Sequence, residues 1–250
     1  MSPAVPARHL LPALVGDLQM PMLQPFGDDI WLADGSETAV AGFRYPTRMA
    51  VIRLAGGGLF LWSPVALTPD LKAAVDALGE VRCLVAPNAL HHLFLPEWKA
   101  AYPDARLYAP PGLRDRRKDI AFDADLADTA DPAWSADIDQ VFVRGNLITT
   151  ETVFFHRKSR TAIFTDLIQH FPKGTFKGWR ALVAHLDLMT APLPEVPRKF
   201  RNAFTNRKAA RAALQRILAW PAEKVLMAHA PPVEADGQAF IRRAFRWLLP

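Results

Sequence analysis

The chain has 250 residues, a formal net charge of +5 and a composition that is 50% hydrophobic. That length fits one large domain or two small ones, and that composition excludes a disordered chain. The modest charge leaves room for anionic substrates but gives no argument for nucleic acid, and the single cysteine, Cys83, excludes an internal disulfide and suits a reducing compartment.

In chain order, residues 1–27 read as an irregular lead-in, with Pro3, Pro6, Pro12 and Pro21 interrupting any long helix. This stretch lacks the apolar core and small-residue cleavage site of a secretory leader. No apolar run in the sequence is long enough to span a bilayer, so a cytoplasmic protein without a membrane span is expected. Residues 28–250 read as one domain. Ile30-Trp31-Leu32 and Met49 to Leu54 are strand-like, and Gly56-Gly57-Gly58 turns the latter back into Leu59-Phe60-Leu61-Trp62. Thr68-Pro69-Asp70 opens a helix to about Leu78, with Thr68 as N-cap and Pro69 at the first helical position. Val81 to Ala86 is a strand, Pro96 to Tyr102 a helix, and Ala105 to Ala109 a strand. Alternation of this kind implies α/β layering. Residues 114–138 are charged and poorly periodic, which suggests surface structure. Ile138 to Val143 is a strand. Glu151–Phe155 and Thr161–Thr165 read as a second hairpin, with His156 in its charged, solvated connection. Residues 170–204 read as loop, rich in proline and glycine. Asn206 to Leu218 is an amphipathic helix with Ala210, Ala213, Leu214, Ile217 and Leu218 on one face. Lys224 to Met227 is the last strand, and Phe240 to Leu248 a terminal amphipathic helix.

Three clusters follow apolar runs: Asn88-Ala89-Leu90-His91-His92, Phe164-Thr165-Asp166 and Ala228-His229-Ala230-Pro231-Pro232. Ligands placed at strand ends can converge on one edge of a sheet. His91, His92, Asp166 and His229 make a nitrogen-rich set with one carboxylate, suited to zinc, manganese or iron. Bland readings compete for each residue. Asp166 could cap the segment after its strand, His229 could order the turn before Pro231-Pro232, and Asn88 reads better as a turn residue than as a substrate contact. Trp62 and Trp98 read as core anchors. The basic run Arg198-Lys199-Phe200-Arg201, with Arg207, Lys208, Arg211 and Arg216, reads as a solvated helix face, with an anion-binding surface as the sharper alternative.

The order of these clusters resembles the metal signature of the metallo-beta-lactamase-like superfamily. Closer still, the chain is similar to the DUF4336 branch of it. Thr47 to Leu54, Ser63-Pro64, Ala86-Pro87-Asn88, His91-His92, Glu97-Trp98, Tyr102 to Ala105 and Thr165-Asp166 carry that likeness. The resemblance covers the chain from about Ile30 onward and implies an α/β fold, a four-layer αββα sandwich. The superfamily signature is His-x-His-x-Asp-His, then a third-motif His, a bridging Asp and a final His. With His91-His92 on the Asp-His pair, the first two histidine positions fall on Pro87 and Ala89, which offer no ligating side chain. Residues 144–152 hold no third-motif histidine. The resemblance then implies one surviving metal set: His91, His92, Asp166 and His229. A second register, with Asn88 on the first position, puts Leu90 and Leu93 on ligand positions.

The function this implies is a metal-dependent hydrolase of a small ester, lactone or phosphoester with a degenerate, mononuclear site. Asp166 and His92 are its expected catalytic residues. One divalent metal is expected, zinc first, with iron or manganese as alternatives. Four protein ligands on a tetrahedral metal would leave no open position, which is the pattern of structural sites. The alternative is a catalytically inactive binding protein on the same fold, without a metal. A small molecule is the expected partner, and nucleic acid is not.

Overall fold

A computed structural model describes residues 22–249, and most of the lead-in lies outside them. The end of that lead-in is not irregular: Gln24–Gly27 forms strand β1, antiparallel to β2 (Ile30–Val40). From there β2 runs to a hairpin tip at Ala41-Gly42 and returns as β3 (Phe43–Arg53). Both tip residues have positive φ, 50° and 77°, the backbone that a two-residue hairpin turn matched to strand twist requires. β4 (Leu59–Trp62) follows the glycine turn.

Helix α1 (Pro69–Asp76) begins where the sequence signals it. The Thr68 hydroxyl accepts from the Leu71 N–H, and Pro69 occupies the first turn. β5 (Val81–Val85), α2 (Leu95–Ala101), β6 (Arg106–Ala109), α3 (Leu113–Arg116) and β7 (Ala124–Asp125) complete the first half. Seven strands form one sheet in sequence order, parallel from β4 onward. The second half is β8 (Ile138–Val143), β9 (Glu151–His156), β10 (Thr161–Gln169), α4 (Trp179–Leu186), α5 (Arg198–Ala203), α6 (Arg207–Leu218), β11 (Lys224–His229) and α7 (Gly237–Ala244). Its four strands pair in the order β11-β10-β9-β8, with β10 and β11 parallel.

Strand alternation sorts the apolar residues into three layers. Ala50, Ile52, Phe60, Trp62, Cys83 and Val85 face the second sheet and meet Phe154, Ile163, Leu226 and Ala228. Their neighbours Met49, Val51, Leu59, Leu61 and Leu84 face the other way, onto Leu71, Val75, Leu95 and Trp98 of α1 and α2. On the far side, Val153, Phe155, Ala162, Phe164, Val225 and Met227 pack against α6 and α7 through Ala210, Leu214, Ile217 and Ile241. Helix, sheet, sheet, helix is the order of the layers, as the family resemblance implies. Trp62 and Trp98 are fully buried, and the Trp98 indole N–H donates to the Val65 carbonyl at 2.6 Å.

Three expectations change. Residues 114–138 are not confined to the surface, because Phe122, Leu126 and Trp134 are buried among the layers. Residues 170–204 are not all loop. They contain α4 and α5, and the apolar residues of α4, Trp179, Leu182, Val183 and Leu186, recur at helical spacing yet stay exposed. His156 is buried rather than solvated, its Nδ1 2.7 Å from the Ser159 hydroxyl.

Candidate metal centre

The parallel strands β4, β5, β10 and β11 present their carboxyl ends at one edge of the sandwich, and the site lies there. His229 is the last residue of β11. His91 sits on the loop after β5. Asp166 lies inside β10 rather than after it, so it caps nothing. Its pairing with β11 is irregular between Phe164 and Gln169. That irregularity frees backbone N–H groups, which must find partners once buried. Glu151, on β9, accepts three of them: Thr165 at 2.7 Å, Asp166 at 2.8 Å and Leu167 at 3.0 Å. A fully buried carboxylate thus holds the Asp166 backbone in shape. Burial, then the neighbouring Asp166 charge, pushes the Glu151 carboxyl up to about 7 against the pull of those donors.

Among the described residues, His91, Asp166 and His229 form a group whose ligand atoms all lie within 4.8 Å of one another. The Asp166 carboxylate is 3.2 Å from His91 Nε2 and 3.4 Å from His229 Nε2, and the two Nε2 atoms are 3.2 Å apart. Donors on a tetrahedral zinc with bonds near 2.0–2.1 Å stand about 3.3–3.4 Å apart, close to the spacing of the two imidazoles, while the carboxylate meets His91 through Oδ2 and His229 through Oδ1. Their outer atoms are engaged in the way ligating imidazoles require. His229 Nδ1 lies 2.9 Å from the Pro46 carbonyl, which only accepts, so neutral His229 carries its proton there and keeps a lone pair on Nε2. His91 Nδ1 lies 2.7 Å from the Ser63 hydroxyl.

Asn88 and Gln169 orient the carboxylate. The Asn88 side-chain amide donates to Asp166 Oδ2 at 2.6 Å, while its carbonyl accepts from the backbone N–H of Leu90 and of His91. Asn88 therefore makes the expected turn and grips the site with the same side chain. Gln169 Nε2 lies 3.3 Å from Asp166 Oδ1. Burial works to raise the Asp166 pKa, but the imidazoles of His91 and His229 outweigh it and hold the carboxyl well below the usual range. Arg48 fixes the His229 corner, donating to the carbonyls of Met227 and Ala230 at 3.0 and 2.7 Å.

His92 does not join the donor set. Adjacent residues on this loop point apart: its Nδ1 lies 2.6 Å from the Arg117 guanidinium. A guanidinium only donates, so Nδ1 accepts and neutral His92 carries its proton on Nε2. Burial and then the Arg117 charge lower its pKa. Of the four expected ligands, His91, Asp166 and His229 come together, and His92 lies outside that group.

The three donors and His92 open into a cavity of about 460 Å³ whose walls include the β2–β3 hairpin tip, the 90–94 loop, Ile148 and α4. Lys199 lines it too, its ammonium 3.3 Å from Asp187. Most of the basic run is internally committed. Arg201, Arg243 and Arg246 converge on Glu195, Arg211 donates to the Leu248 carbonyl, and Arg216 pairs with Asp128.

The sequence singled out His91, Asp166 and His229 as ligands, passed over Glu151 and Gln169, and held Ser63 and Arg48 only among the residues of the family likeness. Glu151 left one signal: it is a lone carboxylate in a strand whose next residues are Thr152-Val153-Phe154-Phe155.

Comparison with known proteins agrees with this architecture. The family model described as a domain of unknown function, DUF4336, matches residues 27–177, more than half of the chain. That range includes His91 and Asp166 and excludes His229. A metallo-beta-lactamase from Pontibacter korlensis has a TM-score of 0.60 and 13% identity over 90% of this chain and 97% of its own. One from Pseudomonas aeruginosa, solved in its mono-zinc form, has a TM-score of 0.61 and 10% identity over 91% and 96%. One from Erythrobacter litoralis has a TM-score of 0.60 and 11% identity over 90% and 96%. At such identities the likeness concerns the fold, which is that of the metallo-beta-lactamases. No curated protein matches the chain. No helix among the described residues is long and apolar enough to cross a membrane.

Proposed function

The chain belongs to the DUF4336 family, on a metallo-beta-lactamase fold, and from that premise we propose a metal-dependent hydrolase of a small ester, lactone or phosphoester. One observation carries the reading. Two imidazole Nε2 atoms and a carboxylate face one another at 3.2–3.4 Å, with the remaining side turned to a cavity. Three protein ligands and an open position form the pattern of catalytic rather than structural zinc sites. Removal of His92 from the ligand set thus strengthens the catalytic reading. Zinc suits two nitrogens and one oxygen, and iron or manganese suits them as well. Such an ion, when bound, would polarise the scissile carbonyl or phosphoryl oxygen and bring the pKa of a water toward about 7.

The chain's own residues supply the rest. Asp166, fixed by Asn88 and Gln169, stays ionised and serves as a ligand and hydrogen-bond acceptor at the reacting centre. His92 lines the cavity as a neutral imidazole with its proton on Nε2, which makes it a donor for a substrate or leaving-group oxygen. A reducing, cytoplasmic setting fits a chain whose one cysteine, Cys83, is a buried free thiol.

A second reading is a binding protein without catalysis. Its support is that Pro87 and Ala89 occupy the first two histidine positions of the signature and offer no ligating side chain. Hydrolysis of p-nitrophenyl esters and simple lactones by the zinc-loaded chain separates the two. Activity that chelation removes and zinc restores is expected of the hydrolase. A zinc-loaded chain inert toward esters, lactones and phosphoesters alike would leave the binding reading.

A further inference from the structure

The walls of the cavity carry more information than the donor set. Val40 on the hairpin tip, Leu90 and Leu93 on the His91 loop, Ile148, and Val183 on α4 all line it. All five are exposed by 40–57%. They come from four separate segments, so their assembly into one rim is a property of the fold. Single exposed apolar side chains need no explanation, but a contiguous collar around a polar centre marks a binding site. Its volume, about 460 Å³, suits a small organic molecule rather than a chain segment.

The charges on these walls exclude one substrate class. Among the described residues, Lys199 is the one lysine or arginine in the lining, and Asp187, also in the lining, lies 3.3 Å from its ammonium. The described walls therefore offer no bidentate arginine or free lysine of the kind that holds a phosphate dianion. A phosphoester would set the charge that one metal ion does not neutralise against Leu90, Leu93, Ile148 and Val183, where the described walls offer it no cationic partner.

We infer that the site takes a neutral carboxylic ester or lactone bearing an aliphatic chain, with the carbonyl at His91, Asp166 and His229 and the chain along Val40, Leu90, Leu93, Ile148 and Val183. This rests on the hydrolase reading and narrows it. Hydrolysis forms one carbon–oxygen bond from water to the acyl carbon. It breaks the bond to the leaving oxygen and delivers a proton to that oxygen, with no redox partner.

The test pairs two series on the full chain. Methyl ketones from hexanone to decanone, which cannot be hydrolysed, are titrated calorimetrically into the metal-free and zinc-loaded protein. The p-nitrophenyl esters from acetate to decanoate are assayed on the zinc-loaded protein. Ketone affinity and ester kcat/KM are expected to rise together, roughly two- to fourfold per methylene. Leu93→Asp and Val183→Asp, at exposed positions that the fold tolerates, are expected to flatten both trends, lowering decanoate kcat/KM and decanone affinity most. Chain-length-dependent ketone binding without ester hydrolysis would keep this inference and remove the hydrolase reading. Acetate hydrolysed as well as decanoate, with ketones bound independently of length, would overturn the inference and leave the hydrolase standing. Self-association through the collar, seen as a concentration-dependent dimer that the two aspartates abolish, would also overturn it if ketone binding is absent.

Discussion

Two buried carboxylates of the second half, Asp166 and Glu195, are surrounded in opposite ways. Glu195 is met by three guanidiniums, from Arg201, Arg243 and Arg246, at 2.8 to 3.3 Å. Those cations are permanent, so the cluster is complete as it stands and ties the 190–198 segment to α5 and to the α7 end of the chain. Asp166 is met by two imidazoles whose Nε2 atoms also face each other at 3.2 Å. Imidazoles offer lone pairs, which guanidiniums do not. The first arrangement is a clasp and the second a ligand set, although both are acidic residues buried among basic ones.

That contrast is open to experiment, and the largest effect belongs to Asp166. Asp166→Asn, nearly isosteric, is expected to abolish zinc binding in a competitive titration while the chain still folds. A variant that kept its zinc would make Asp166 a structural acid like Glu195. Glu195→Ala should do the reverse, losing about 3 kcal/mol in urea unfolding because three arginines lose their partner, while zinc binding persists. Loss of the metal with unchanged stability would erase the distinction.

Glu151→Gln sharpens the comparison from below. The amide must turn its NH2 toward at least one of the three backbone N–H groups that Glu151 now accepts from. A cost of about 2 kcal/mol in urea unfolding is expected, and an unchanged midpoint would show that the β10 irregularity is held by something else. Ser63→Ala removes the hydroxyl at His91 Nδ1 and should weaken zinc about tenfold by chelator competition, with no change in fold. Equal zinc affinities would mean that the ring is oriented by the loop alone. The smallest effect is at Cys83, between the sheets, where burial pushes the thiol up to about 12. Iodoacetamide at pH 8 should leave it unmodified in the folded chain and label it after unfolding; prompt labelling of the native protein would contradict the packing between the sheets.

The layers were legible because their signal is local. Phe60 and Trp62, or Cys83 and Val85, alternate with residues of the opposite face, and each strand states its own two sides. The N-cap at Thr68 was legible for the same reason. The site was legible in its donors but not in its geometry. His91 and His92 are neighbours of one type, and only the turn that Asn88 closes decides which of them faces Asp166. Glu151, Ser63 and Arg48 act across distances in sequence that no spacing rule covers. Arg48 reaches the Met227 and Ala230 carbonyls from the other sheet. Helix α4 was missed because Pro172, Gly174, Gly178, Pro192, Pro194 and Pro197 around it read as loop, although Trp179, Leu182, Val183 and Leu186 recur at helical spacing.

The account turns on one claim, that His91, Asp166 and His229 hold a single metal ion and His92 does not. Zinc content per chain, measured by elemental mass spectrometry after reconstitution, tests it on the wild type, His92→Ala and His229→Ala. About one equivalent in the wild type and in His92→Ala, with none in His229→Ala, is the predicted result. A wild type that stays empty, or a His92→Ala variant that loses its zinc alongside His229→Ala, would contradict it.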